Sequence, residues 1–273
     1  MRILLAVLLA TAALFGGPPR RVVSQTVGTD ELLVAIAEPG QIAALSHLAR
    51  DASFTPDVRT LAKFPCMRTG QAEDILGFHP DLVLAAAYTA PETLTILRRA
   101  RITLVVLDRF ETLEDLYLSA RRIGAALGRE ARAEELIAQW KARVAALDRR
   151  MQGIKPVRVL AAGLYPFTAG AGTTFQDMCD HAGAINVATE KGIRGHQPTP
   201  SEKVLTWNVE VLVAESGQDM RKRLGSMPPY KYMDALKKGR LVEIPGPLMS
   251  ATSQARLDAF ECLARALHPE AFK

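Results

Sequence analysis

The chain has 273 residues, 48% of them hydrophobic, with 34 Lys and Arg against 29 Asp and Glu for a formal charge of +5. That length accommodates two cores of ~100 residues or more each. The charge is mild, both signs are interspersed as on solvated helix faces, and no basic run carries the interleaved aromatics of a nucleic-acid groove, so no nucleic-acid partner is expected.

Residues 1–17, MRILLAVLLATAALFGG, set one positive charge before an apolar run from 3 to 15. The run is too short to span a bilayer and reads as a secretory signal peptide. Beyond it the pattern alternates. A strand is expected at 21–24, then a helix opened by Thr29-Asp30-Glu31 and stopped by Pro39-Gly40, and a strand at 42–45. A polar loop fills 46–69. A short amphipathic helix and a buried strand follow within 71–86, then a helix at 91–100 and an apolar strand at 102–107. From 113 to 151 apolar residues recur at helical spacing, with Gly128 dividing two helices. The second, 130–151, would be ~30 Å long at 1.5 Å per residue. A strand at 157–162, a loop at 163–172, a helix at 173–182 and a loop at 186–199 come next. A second short helix and strand occupy 200–215, followed by a strand at 241–244 and a C-terminal helix at about 251–267.

Two of these units echo one another. Residues 71–86 read QAEDILGFHPDLVLAA and 200–215 read PSEKVLTWNVEVLVAE, so Glu73 aligns with Glu202, Leu76 with Leu205, Phe78 with Trp207 and Asp81 with Glu210. An echo at half the chain length predicts two similar α/β lobes with a cleft between them, where ligands usually bind. Loops at the carboxyl ends of strands nominate His47, Arg50, Met67, Arg68, Tyr88, Tyr165, Phe167, His196 and Met249 as ligand contacts. Flat aromatic and thioether faces suit a large planar or greasy ligand, and arginines, Arg109 among them, suit the negative charge of a chelate. The histidines His47 and His196 fall in opposite cleft loops, and each is either a metal contact or a plain polar one. The three cysteines, Cys66, Cys179 and Cys262, have no CxxC spacing.

With these segments in order (RVVSQTVGTDELLVAIAEPGQIAALS, AEDILGFHPDLVLA, ARRIGAALGREARAEELIAQW, YPFTAGAGTTFQDMCDHAGAINVA, SEKVLTWNVEVLVAE) the chain resembles the class III periplasmic substrate-binding proteins of ABC importers, which carry vitamin B12 and ferric siderophores. The resemblance implies an α/β fold of two Rossmann-like lobes bridged by a single long helix. The expected layout is a signal peptide over 1–17, an N-terminal lobe over 18–128, a bridging helix over 129–153 and a C-terminal lobe over 154–273. It implies a periplasmic monomer that is not an enzyme and needs no cofactor, with a metal-chelate ligand and an ABC transporter permease dimer as partners. In the family one glutamate per lobe docks on permease arginines; these fall on Glu73 and Glu202, which are also ordinary first-turn glutamates favouring a helix dipole. The family's cleft aromatic falls on Phe167. Where cobalamin-binding members carry tryptophans this chain has His196 and Met67, and their charged pocket residues fall on Leu248 and Thr252, so a ferric siderophore and a corrinoid both stay open. The resemblance also implies a disulfide between Cys179 and Cys262 with Cys66 free. The alternatives are a bare zinc or manganese receptor, for which only two histidines converge, and a secreted hydrolase, for which no G-x-S-x-G, H-E-x-x-H or G-K-[ST] motif is present.

Overall fold

A computed structural model describes residues 17–165 and 167–273. The expected signal peptide, apart from Gly17, lies outside the described residues. Among the described residues ten strands alternate with helices: β1 (Val22–Ser24), β2 (Ile42–Ala44), β3 (Leu82–Ala86), β4 (Thr103–Leu107), β5 (Val157–Ala161), β6 (Phe167–Ala169), β7 (Ala184–Asn186), β8 (His196–Pro198), β9 (Val211–Glu215) and β10 (Leu241–Ile244). Two four-stranded parallel sheets result, in the orders β2-β1-β3-β4 and β7-β5-β9-β10. The second lobe thus repeats the topology of the first, β5 standing for β1 and β9 for β3. Central strand β3 is buried along its whole length, as a sheet covered on both faces requires.

The sequence echo has a physical basis at the lower end of each sheet. Asp81 accepts the backbone N–H groups of Arg20 (2.7 Å) and Arg21 (3.0 Å), while the Arg21 side chain donates to the Phe78 carbonyl. Glu210 accepts the N–H of Arg158 (2.9 Å), while the Arg158 side chain donates to the Asn208 carbonyl. In each lobe an acid therefore pins the first strand to its neighbour. The helices of the two echoes differ. Ala72–Gly77 is an α-helix, whereas Lys203–Thr206 is a single 3-10 turn. The second segment contains β-branched Val204 and Thr206, which are poorer helix formers, and one buried anchor, Val204, is enough to seat it.

The helix Glu130–Met151 joins the lobes. Gly128, at φ 67°, ends the preceding helix Leu113–Leu127 in the left-handed conformation that glycine adopts without strain. Ala133, Leu136, Ile137, Trp140, Val144 and Leu147 form the buried stripe. All but Ala133 belong to one continuous apolar cluster that includes Leu33, Leu84 and Leu116 of the first lobe and Val159, Phe175 and Phe260 of the second. Polar ties fix both ends of the helix. Arg132 donates to the Ala35 carbonyl in the first lobe, and Arg143 pairs with Asp258 (2.6 Å) and Glu261 (2.7 Å) in the second.

A buried ion pair reinforces this junction. Arg256 on the helix Arg256–Leu267 lies 3.1 Å from Asp177 on the helix Thr174–His181, and neither is more than 7% exposed. Arg256 also donates to the Phe110 carbonyl, and Asp177 accepts the Leu113 N–H at 3.1 Å, so both members reach the first lobe. Burial pushes Asp177 up and Arg256 down from their ordinary values, each shift partly countered by attraction to the other. Asp177→Ala should therefore cost ~3–5 kcal/mol, by stranding a buried charge, whereas Asp177→Leu combined with Arg256→Met should cost much less. Urea titration of the three proteins checks this, and near-equal losses for the single and double variants would contradict it.

The three cysteines are free, which corrects the expected Cys179–Cys262 disulfide. Their helices do pack together, through His181 stacked on Phe260 at 4.8 Å. Each cysteine lies two residues from that contact, about 200° around its helix. Cys179 points into the core and Cys262 lies on a partly exposed flank.

Candidate functional site

The strand order reverses between β1 and β3, which opens a crevice beyond their carboxyl ends. A cleft of about 530 Å³ lies there. Gln25, Thr26 and Gly28 follow β1, His47 and Leu48 follow β2, and Tyr88, Thr89 and Ala90 follow β3; Phe54 adds a ring, and Pro247, Ser250 and Thr252 close it from the second lobe. Local structure aims these groups. Thr26 caps the helix Val27–Ile36 in a capping box with Thr29, three residues before the start expected from sequence. The Thr89 hydroxyl donates to the Gln25 side chain, tying the loops after β1 and β3 together.

Glu31 forms the floor. It is buried on the first-lobe helix, yet it accepts hydrogen bonds from Thr55 of its own lobe (2.5 Å) and from the Ser253 hydroxyl of the other. Gln254 of the second lobe donates to the Glu31 carbonyl at 3.2 Å. Burial pushes the Glu31 carboxyl up from its ordinary value, and its two hydroxyl donors pull against that. Beside it, Asp30 accepts both the N–H (3.0 Å) and the hydroxyl (2.6 Å) of Ser46, holding the loop that presents His47. Burial raises the Asp30 carboxyl to about 7.

The sequence-nominated residues divide into three groups. His47 and Tyr88 line the cleft, and Tyr88 is 65% exposed with its ring 5.6 Å from that of Phe110. Tyr165 and Phe167 sit beyond the carboxyl end of β5, at the matching switch point of the second lobe, 83% and 50% exposed. There β6 and β8 form an antiparallel ribbon that sets Phe167 opposite Pro198 and His196 opposite Ala169. Gly170 lets this ribbon close, since any side chain there would run into the Ile193 backbone. The third group lies away from the cleft. Met67 is 3% exposed and packs with Val23, Ile75 and Val83 in a core beneath the first sheet, so it is no ligand contact. Its N–H bonds to the Leu45 carbonyl, which draws the segment into the sheet edge. Met249 is half-buried against the main core, leaving its neighbours Pro247 and Ser250 on the cleft wall. Arg50 donates to the Phe64 carbonyl and Arg109 pairs with Asp115 at 2.8 Å, while Arg68 is almost fully exposed, 4.0 Å from Asp74, and does not line the cleft.

The sequence did not single out Phe54, Gln25 or Glu31, and it marked Thr252 only as the place of a family pocket residue. One of the two aromatics in the otherwise polar 46–69 loop, Phe54 was open to nomination on that ground. Nothing local distinguishes Glu31, whose partner Ser253 lies 222 positions away.

Asp30 yields a pH dependence. Its folded value stands above the ordinary unfolded one of 3.8, so the native state binds the proton more tightly. Its contribution to stability is then fully present below pH ~4 and is lost as pH rises through about 7, amounting to ~2–4 kcal/mol. Relative to wild type, Asp30→Asn should gain stability steadily between these limits and hold level above them, as followed by chemical denaturation at several pH values. A difference independent of pH would contradict the assignment.

Residues 22–248 match the periplasmic binding protein family. An uncharacterized ABC transporter substrate-binding lipoprotein of Bacillus subtilis strain 168, YvrC, is 21% identical over 267 residues, 93% of this chain and 82% of that one. Three solved structures share the fold. The periplasmic heme-binding protein RhuT of Roseiflexus sp. RS-1 has a TM-score of 0.79 at 24% identity, covering 93% of this chain and 99% of its own. HutB of Vibrio cholerae, also titled a periplasmic heme-binding protein, has 0.76 at 21%, covering 91% and 99%. The vitamin B12-binding protein BtuF of Vibrio cholerae has 0.70 at 17%, covering 94% and 99%. With paired sheets of like topology, a long bridging helix and a match across most of its length, this chain belongs to the periplasmic binding protein family and has its class III fold.

Proposed function

We propose that this chain is the extracytoplasmic substrate-binding component of an ABC importer, which captures a metal-chelate nutrient in the cleft and presents it to a permease dimer. The observation that carries this reading is the set of exposed rings at the two switch points. Phe54 and Tyr88 stand on one lobe, Tyr165 and Phe167 on the other, and all four are at least 49% exposed. Leaving such rings in water is unfavourable by itself, and a flat, largely apolar ligand covers them. The cleft volume of about 530 Å³ suits such a ligand. His47 on the cleft wall and His196 on the opposite ribbon are the polar groups on hand to orient it or to meet its metal. Among the described residues no three His, Cys, Asp or Glu side chains are gathered to hold a bare ion, which favours a chelate over free zinc or manganese.

The relatives titled as heme-binding and vitamin B12-binding add heme to the two cargo classes read from sequence, ferric siderophore and corrinoid. Each has its own visible spectrum, so titration of the protein with heme, cobalamin and ferric siderophores in turn identifies the cargo by a saturable spectral change. Tyr88→Ala, Phe167→Ala and His196→Ala should each weaken binding of that cargo by about tenfold, the worth of one good contact. They should leave thermal stability nearly unchanged, because the side chains are exposed. Loss of stability with affinity intact would return a residue to a packing role.

Glu73 lies exposed in the first turn of Ala72–Gly77, and Glu202 lies exposed just before the turn Lys203–Thr206. Carboxylates at matching places on two lobes are well placed to accept arginine forks from a two-fold permease. Glu73→Ala with Glu202→Ala should preserve ligand affinity while abolishing uptake into permease-containing vesicles. Uptake that survives the double change would place docking elsewhere.

A further inference from the structure

The positive charge of this protein is concentrated on one flank. Residues 220–240 contain seven basic side chains, Arg221, Lys222, Arg223, Lys231, Lys237, Lys238 and Arg240, against the single acid Asp234. The rest of the chain holds 27 Lys and Arg against 28 Asp and Glu, so this segment accounts for the whole of the net charge. All seven are exposed. They are carried by three short helical turns, Met220–Gly225, Tyr230–Tyr232 and Asp234–Lys237, which pack on one another. The apolar side chains of these turns, Met220, Leu224, Tyr230, Met233 and Leu236, enter a second-lobe core of their own with Leu160 and Leu212. The charges are thereby left facing outward together. Arg221 lies against Gly239, which brings the first and last parts of the segment side by side. Among the described residues only Asp234 pairs with any of the seven, with Lys237 at 3.9 Å and Lys238 at 3.4 Å. Tyr232 stands 54% exposed beside them, with the Lys231 ammonium 4.7 Å from its ring centre.

We propose that this flank is a docking face for the anionic headgroups of a lipid bilayer. Rotatable lysines and arginines spread over an outward-facing surface match a diffuse field of phosphates, which asks for no fixed geometry. A single exposed tyrosine among them fits headgroup depth, where an amphipathic ring is stable. One ring makes no stacking platform, and no groove tracks the charges, so a nucleic acid is poorly matched. None of the seven lines the ligand cleft. The face would hold the protein near the membrane at which its family works, independently of cargo.

The test is co-sedimentation of the full chain with phosphatidylcholine vesicles and with vesicles that also contain phosphatidylglycerol. The quantity read is the increment due to the anionic lipid, and the flank variants separate the share of the face from any share of the N-terminal segment, whose own positive charge also favours anionic vesicles. The face predicts at least a tenfold increment at low salt that collapses as salt is raised. It is abolished in Arg221→Glu, Lys222→Glu, Arg223→Glu and retained in the charge-matched control Arg98→Glu, Arg99→Glu, Arg101→Glu. Lys231→Gln, Lys237→Gln, Lys238→Gln supplies a milder second variant with the same expected loss. No increment for wild type, an increment untouched by both sets of changes in the flank, or equal loss in the control each overturns the proposal. The last outcome would leave only net charge at work, and the first would leave the flank free for an acidic protein instead.

Discussion

Burial of one helix stripe governs the arrangement of this protein. Leu136, Ile137, Trp140, Val144 and Leu147 leave water by packing within one apolar cluster that runs from Leu84 of the first sheet to Val159 of the second. At ~1.5–3 kcal/mol for each large side chain, that seam far outweighs the thermal energy available to open it. This packing opposes any change in the angle between the lobes. The Arg256–Asp177 pair adds direction to this greasy contact. A buried guanidinium with partners on the second helix and on the Phe110 carbonyl tolerates little sliding of one lobe over the other.

The duplicated topology then places the chemistry. Each sheet has its reversal of strand order next to its first strand; the first lobe's switch-point loops line the cleft, which residues after β10 close from the second lobe. In the first lobe these loops are tied by Thr89 and Gln25, and they stand on a floor where Glu31 accepts bonds from both lobes. The paired acids Asp81 and Glu210 do equivalent work at the opposite end, pinning β1 to β3 and β5 to β9. The repeat thus carries two distinct kinds of acid: those that knit the sheets, and the exposed Glu73 and Glu202 that contribute nothing visible to the fold.

Several nominations from sequence failed for one reason. Met67, Arg50 and Met249 were assigned to the cleft because they follow strands or lie in loops, but following a strand does not fix the direction of a side chain. Met67 turns under the sheet because its backbone joins the sheet edge at Leu45, and Arg50 turns to the Phe64 carbonyl. The cysteines show the same limit. Their helices do pack, but rotation about each helix axis decides whether sulfurs meet, and stacking of His181 on Phe260 sets that rotation against them.

The sequence by itself determined the two-lobe α/β architecture, the long connecting helix and the pairing of Glu73 with Glu202, because periodicity and internal repetition are local properties that survive without knowledge of contacts. It also marked the exposed rings of Tyr88, Tyr165 and Phe167, which follow strands in segments bounded by turn residues. Only the tertiary structure decided the 3-10 form of the second repeat, the burial of Met67, the free cysteines, the Glu31–Ser253 link and the gathering of seven basic residues on one flank. Each of these depends on which surfaces meet across tens or hundreds of positions. Those meetings are settled by packing and by the cost of leaving buried polar groups unpaired, not by the order of residues in any one stretch.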